Sequence, residues 1–231
     1  QIVRLRATPP VPDSRVVLRA WERLISFHRK ETALHLFQLA MERTGAPGGE
    51  AWEAQGHVDR DLWNKAGAAG MLCVTMPEAF GGLGADRLFA TIVMEEQARV
   101  GASGPGFSLH SEIVAPYLKH YGSQAQKERY LPRMASGELI GAIAMTEPGT
   151  GSDLQNIRTR ARDAGDHYVL NGSKIFITNG FLADLVIVVA KTGETGKGSA
   201  DTSLMLVEAG TPGFTKGKPL KKMGMRAQDT A

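Results

Sequence analysis

A single cysteine, Cys73, is all the thiol the 231-residue chain carries. That excludes an internal disulfide, a CxxC redox pair and a cysteine-rich zinc site, and it points to a reducing compartment. Long apolar runs are missing as well. The stretch 185–190 is the most apolar, and it has the length of a strand, far short of the roughly eighteen residues of a membrane-spanning helix. No integral membrane span is therefore expected. Charge of one sign is absent too. The 27 Lys and Arg against 24 Asp and Glu leave a formal net charge of +3, dispersed along the chain, and this excludes the basic concentration of a nucleic-acid binder. Asn171-Gly172-Ser173 spells a glycosylation acceptor, but beside a lone cysteine it reads better as a hairpin turn. The chain opens on Gln1 and closes on Ala231, and we expect it to be a segment of something longer.

What is present suffices for a core, with 42% hydrophobic and 22% charged residues. Residues 1–14, with prolines at 9, 10 and 12, read as an arm. Residues 16–43 carry a helical period that "SFHRKET" divides, and "GAPGGE" ends it. Further helices are expected in "RDLWNKAGAAG" with Asp59 as N-cap, in "DRLFATIVMEEQARV" from Asp86, over 109–120 with Pro116 able to kink it, and in "SQAQKERYLPRM", where Ser123 and Gln126 have capping-box spacing. After Gly137 the grammar changes. "ELIGAIAMT", "IRTRARD", "HYVLNG", "KIFITNG", "DLVIVVAK" and "SLMLVEAG" are short runs, most closed by a turn signal, which is antiparallel strand spacing. No helical pattern separates them, which argues against a doubly wound parallel sheet. The expected fold is α+β: an N-terminal α-helical domain over residues 15–138, then a mostly antiparallel, barrel-like β domain over 139–231, truncated at its C-terminal end.

The stretch "AMTEPGTGSD" carries the densest local signal. Gly149 and Gly151 form a GxG, but Leu154 stands where a dinucleotide fingerprint requires Gly. "TGKGS" at 195–199 fails the phosphate-loop pattern, since Gly198 follows Lys197. What remains at 149–153 is either a plain turn or a cradle in which backbone N–H groups and the Ser152 hydroxyl converge on an anion. Glu147 reads as a carboxylate satisfying loop N–H groups rather than a general base. His28 and His35 lie two helical turns apart, yet no acid or cysteine completes a metal set. The histidines read as single solvated or capping residues, and no metal is expected. No Gly-x-Ser-x-Gly elbow occurs. Arg158, Arg160 and Arg162 share one strand face, and the lack of interleaved aromatics makes that a wet sheet surface rather than a nucleic-acid platform.

Taken together, "AIAMTEPGTGSDLQNIRTRA", "YVLNGSKIFITNG" and "DLVIVVAKT" closely resemble the acyl-CoA dehydrogenases. "KKMGMRAQDTA" resembles the end of their middle domain. "HVDRDLWNKAGAAGML", "PEAFGGLGAD" and "FSLHSEIVAPYLKHYGSQAQKERYLPRMASGE" resemble the helical domain before it. "FSLHSEIV" and "GAIAMTEP" look most like the long-chain branch. The resemblance implies FAD as cofactor and α,β-dehydrogenation of an acyl-CoA thioester, with electrons passed to electron-transfer flavoprotein. It also implies a homodimer or homotetramer in the mitochondrial matrix of a eukaryote or the cytoplasm of a bacterium. It implies flavin contacts for Ile143, Ala144, Met145, Thr146, Gly151, Ser152, Phe176, Ile177 and Thr178. Of these, Thr146 would face the ring and Thr178 would donate toward N5. Gly151 and Ser152 would lie near the pyrophosphate, and Phe176 stands where many members have Trp. Ser152, Ser199 and Ala200 are implied on the acyl-CoA, and Phe107, Leu109 and Ile113 as walls of the acyl cavity. The family takes its catalytic glutamate from helices after the middle domain, so no catalytic residue is assigned among 1–231. Acyl-CoA oxidase and a non-enzymatic scaffold on the same fold are the alternatives.

Overall fold

A computed structural model describes residues 49–195 and 198–231, the side chains of Gly198 and Ser199 excepted. The expected arm at 1–14, the helical stretch at 16–43, and His28 and His35 lie outside the described residues.

The helical part is built from α1 (Glu50–Gln55), α2 (Arg60–Ala68), α3 (Arg87–Arg99), α4 (Phe107–Leu109), α5 (Ala115–Tyr121) and α6 (Gln124–Ala135), with a π-helical segment (His110–Val114) joining α4 to α5. The expected caps resolve differently. Asp59 precedes α2 but makes no side-chain cap bond; its carboxylate accepts from Trp52 Nε1 at 3.1 Å and Gln55 Nε2 at 3.0 Å. Asp86 caps α3 by accepting from Leu88 N. Ser123 and Gln126 form the full capping box at the start of α6. Pro116 does not break the helix. It sits at the beginning of α5, directly after the π segment, where a missing N–H disrupts least.

Two hydrophobic clusters fill the helical side. Trp52, Val58, Leu62, Trp63, Leu72 and Phe107 gather in one. Val114, Leu118, Leu131 and Met134 gather in the other and pack directly on Ile143, Leu185 and Ile187 of the sheet. The sheet residues one step out of phase, Ala142, Ala144, Val186 and Val188, belong to a third cluster on the opposite face. This is the period-2 alternation of a sheet buried on both sides. A cleft of about 750 Å³ lies on that opposite face, walled in part by Val186, Val188, Met205, Val207 and Phe214. No described helix is long and apolar enough to cross a membrane.

The sheet corrects the expected β domain. Its strands are β1 (Gly141–Ala144), β2 (Arg160–Asp163), β3 (Tyr168–Asn171), β4 (Leu185–Lys191) and β5 (Thr202–Glu208). Strand β4 pairs with β1 and, at Lys191, with β2 in parallel; β2–β3 and β4–β5 are antiparallel. The sheet is thus mixed rather than mostly antiparallel, and it is open rather than barrel-like. Among the described residues, strands β1, β3 and β5 each have one strand partner, so no ladder closes a ring there. Strand β5 takes one edge of β4 along its whole length, which leaves β1 and β2 to share the other edge in succession. "KIFITNG", expected as a strand, is an extended run with one isolated bridge, Thr178 to Thr230. Left-handed backbone at Phe176 (φ 62°) and Asn179 (φ 64°) interrupts it.

Polar ties hold helices to sheet. Arg60 Nη2 lies 2.8 Å from Asp184 Oδ2, and the same oxygen accepts from Ile140 N at 2.7 Å. The Tyr130 hydroxyl donates to Glu208 Oε1 at 2.5 Å. Closer still, a Cβ added to Gly67 in α2 would lie 2.0 Å from Ser136 O. Alanine in a helix interior normally gains about 1 kcal/mol over glycine. Here the backbone clash reverses the sign, and Gly67→Ala is expected to cost a net of about 1–3 kcal/mol in urea unfolding. Equal or greater stability would show that α2 does not approach Ser136 so closely.

Candidate functional site

Strand β1 is buried at all four positions, and the chain emerges at Met145 and Thr146, both half-buried. It then turns tightly. Glu147 N donates to Thr150 O at 2.9 Å and Thr150 N to Glu147 O at 3.0 Å, with Pro148 and Gly149 at the tip. Beyond, Gly151 and Ser152 are exposed. The amides of Gly149, Gly151 and Ser152 make no hydrogen bond to another described residue, and a Cβ on Gly149 or Gly151 would meet nothing within 4 Å.

The Glu147 side chain folds the other way. Its carboxylate is buried, accepting from Arg158 N at 2.6 Å, Thr159 N at 2.9 Å and Lys174 Nζ at 2.9 Å. Burial pushes this carboxyl up, and Thr159, Arg158 and Lys174 more than reverse that, holding it at about 2. Burial draws the Lys174 ammonium below its usual range while Glu147 pulls it back. Glu147 is therefore a loop-fixing carboxylate, as its position before Pro148 suggested. Its ion partner Lys174 lies 27 residues away, and no local pattern marked it.

Lys174 also donates to Met145 O at 2.9 Å, and Ile175 N donates to Thr146 O at 3.0 Å. The two quoted loops, 144–153 and 174–180, therefore run side by side. Ile177 exchanges backbone bonds with Ala231 at 2.7 and 3.0 Å. The Phe176 ring stands 63% exposed on a left-handed backbone. Among the described residues, the Thr146 and Thr178 hydroxyls have no hydrogen-bond partner, and Thr178 is half-buried.

The implied flavin residues thus divide. Gly151, Ser152 and Phe176 are exposed, and Met145, Thr146 and Thr178 are half-buried. Ile143, Ala144 and Ile177 point their side chains into the core clusters. The implied acyl-wall residues divide too. Phe107 is buried edge-on against Trp63, ring centroids 4.8 Å apart; Leu109 is half-buried; Ile113 is exposed. Ala200 is exposed within the 3-10 turn Gly198–Asp201, and the Ser199 side chain lies outside the described residues. The histidines correct one expectation. His110 is neither solvated nor a cap but fully buried, with both ring nitrogens bonded. Burial draws its pKa down to about 4.

The donor set suits a flavin dinucleotide. Unbonded amides and a serine hydroxyl suit a pyrophosphate, free threonine hydroxyls suit the polar edge of a ring system, and an exposed aromatic suits its face.

Comparison with known proteins bears on the same residues. The family model described as acyl-CoA dehydrogenase, N-terminal domain, matches residues 31–138, and the one described as acyl-CoA dehydrogenase, middle domain, matches residues 142–231. The long-chain specific acyl-CoA dehydrogenase, mitochondrial, of Rattus norvegicus is 56% identical over 183 residues, covering 79% of this chain and 43% of its own. The crystal structure of acyl-CoA dehydrogenase from Geobacillus kaustophilus superimposes with a TM-score of 0.77 at 45% identity, over 85% of this chain and 53% of that one. A glutaryl-CoA dehydrogenase from Mycobacterium smegmatis in complex with FADH2 superimposes with a TM-score of 0.72 at 29% identity, over 88% of this chain and 51% of that one. The chain spans about half the length of the relatives it matches.

Because the Glu147 carboxyl falls from 4.5 to about 2 on folding, its contribution is fully present above pH 4.5 and is lost as pH falls toward 2. Glu147→Gln is expected to cost about 3 kcal/mol at pH 7, from the size of that shift. Urea unfolding from pH 7 down to pH 3 should show the gap to wild type narrowing below pH 4.5. A gap independent of pH would contradict the assignment.

Proposed function

This chain belongs to the acyl-CoA dehydrogenase family, and from that premise we propose that the whole protein is a flavoprotein that dehydrogenates acyl-CoA thioesters between their α and β carbons. The observation that carries the proposal is that the hydroxyls of Thr146 and Thr178 and the amides of Gly151 and Ser152 are left unbonded among the described residues, on loops that Lys174 holds together through Met145 O and Glu147. FAD, when bound, supplies the hydride acceptor at N5.

The protein's own part is to bind and to orient. The amides around Gly151 and the Ser152 hydroxyl would hold the pyrophosphate. The Thr146 and Thr178 hydroxyls would donate to the polar edge of the ring, Thr178 toward N5, and the Phe176 ring would pack on its face. By the family resemblance, Ser152, Ser199 and Ala200 would meet the CoA part of the substrate, and Phe107, Leu109 and Ile113 would border the acyl chain. Long-chain acyl-CoA is the proposed substrate, on the similarity to the rat long-chain enzyme and the motif detail of "FSLHSEIV". Electrons then pass to an electron-transfer flavoprotein. The α-proton is taken by a carboxylate that the family supplies after its middle domain, and no residue among 1–231 holds that role. The proposed assembly is a homodimer or homotetramer, in the mitochondrial matrix of a eukaryote or the cytoplasm of a bacterium.

Purified whole protein is expected to carry a flavin absorption band that bleaches when long-chain acyl-CoA is added without oxygen. A protein that stays colourless after incubation with FAD would overturn the proposal in favour of a scaffold. Oxygen consumption at the rate of turnover would reassign it as an oxidase. Thr178→Ala removes one hydrogen bond to developing charge, worth roughly 1.5–3 kcal/mol, and should lower kcat roughly tenfold to a hundredfold. Substrate affinity should change little, since the bond tightens only as hydride arrives. Unchanged kcat in a flavin-loaded variant would remove Thr178 from N5.

A further inference from the structure

Gly141, the first residue of β1, is gripped at both of its backbone polar groups by buried side chains from outside the sheet. Its N–H donates to His110 Nδ1 at 3.0 Å. Its C=O accepts from Asn179 Nδ2 at 3.3 Å. Neither gripping residue has meaningful contact with solvent. Each makes a second bond that ties Gly141 to a further element. His110 Nε2 lies 3.0 Å from Met134 O in α6, and Asn179 Nδ2 lies 3.1 Å from Gly106 O at the head of α4. An imidazole that accepts at Nδ1 must donate at Nε2, so these partners fix His110 as the neutral Nε2–H tautomer.

The grip is close. A Cβ at position 141 would stand 2.8 Å from Val114 Cγ1 and 2.9 Å from Met134 Cε. Asn179 takes a left-handed backbone, φ 64°, which asparagine tolerates better than most residues. Its own N–H donates to Asp229 O at 2.9 Å and its C=O accepts from Ala183 N at 2.7 Å. Among the described residues, strand β1 has only β4 as a strand partner, over four residues. The side-chain bonds therefore add the constraint that a short edge strand lacks.

The consequence lies in what adjoins these residues. Thr146 follows Gly141 on the same run out of β1, Thr178 immediately precedes Asn179, and Phe107 immediately follows Gly106. We infer that His110 and Asn179 are positioning residues, a buried clamp on Gly141 that sets the separation of the Thr146 and Thr178 segments and of the helix that begins at Phe107. The inference rests on the flavin reading for what that separation serves. Neither side chain bonds the Thr146 or Thr178 hydroxyl itself; both act through backbone.

Asn179→Gly keeps the left-handed backbone and removes the amide, and Asn179→Asp keeps the shape and removes the donor. Hydrogen exchange of the FAD-free whole protein reads the clamp with no help from the cofactor. In both variants exchange should rise roughly tenfold or more at residues 141–146 and 107–110 together, while thermal unfolding stays cooperative. In the flavin-loaded protein, FAD affinity should fall roughly tenfold, and kcat should fall up to a hundredfold with KM for acyl-CoA within about twofold, the pattern of misplacement. If Asn179→Gly does not fold, His110→Gln, which keeps one amide donor, carries the same measurements. Exchange that rises only within 176–183, or FAD affinity equal to wild type in a folded variant, overturns the clamp. A wild-type protein that takes up no FAD overturns the flavin reading instead, and the exchange maps then decide the clamp by themselves.

Discussion

The structure around the site depends on one buried carboxylate. An ionised carboxyl removed from water is tolerated only where charge and hydrogen bonds replace the lost solvation. Glu147 obtains both from outside its own loop: two amides from the run into β2 and the ammonium of Lys174. Because that ammonium also holds Met145 O, the loop after β1 and the segment leading to Phe176 form one body. With Glu147 turned inward, the amides of Gly149, Gly151 and Ser152 have no acceptor among the described residues. A Glu147 carboxylate turned out to solvent would repel an anion at that place; here it is paired internally, and Asp153 at the end of the loop is the acid that stays exposed.

The local parts of the fold were legible in the sequence, and the non-local parts were not. The capping box at Ser123 and Gln126 and the helical period of α3 are written within a few residues of each other, and both appear. The pairing of β1 with β4 is not written that way. Some forty residues separate their registers, and the β2–β3 hairpin lies between. Turn signals mark where strands end, not which strand lies beside which, so short runs in succession read as an antiparallel meander that closes. "KIFITNG" misled for a related reason: its β-branched and aromatic residues favour extension, but nothing in their order announces left-handed backbone at Phe176 and Asn179.

The site was legible to a different degree. Chemistry alone left 149–153 as either a turn or an anion cradle, and family resemblance supplied the residues proposed to face the flavin. Neither route found Lys174, His110 or Asn179. The partners of His110 lie 24 and 31 residues away, and those of the Asn179 side chain 38 and 73. A polar residue on a helix face shows in the sequence as a break in the apolar stripe. Whether solvent or a distant backbone group satisfies it is decided by packing.

The segment that carries Phe176 and Thr178 shows how such packing is organised. It has one isolated bridge and two left-handed residues, and left-handed backbone costs an ordinary side chain about 1–2 kcal/mol. Its support comes from residues 219–231, which cross back onto the helices. Pro219 lies against Gly56, Arg226 pairs with Glu53 at 3.4 Å, and Ala227 enters the core of Trp52 and Trp63. Asp229 then accepts from Phe181 N at 3.0 Å and Leu182 N at 2.7 Å. Burial raises the Asp229 pKa and those amides oppose the rise. So the strained run is held from the helical core, through a strap, as well as by the sheet, where Ile177 packs and Asn179 bonds Gly141 O. The Phe176 ring returns little of that cost, since most of it lies in solvent. Strain held in place by distant contacts, at a side chain that adds little to the fold, points outward to something the ring meets.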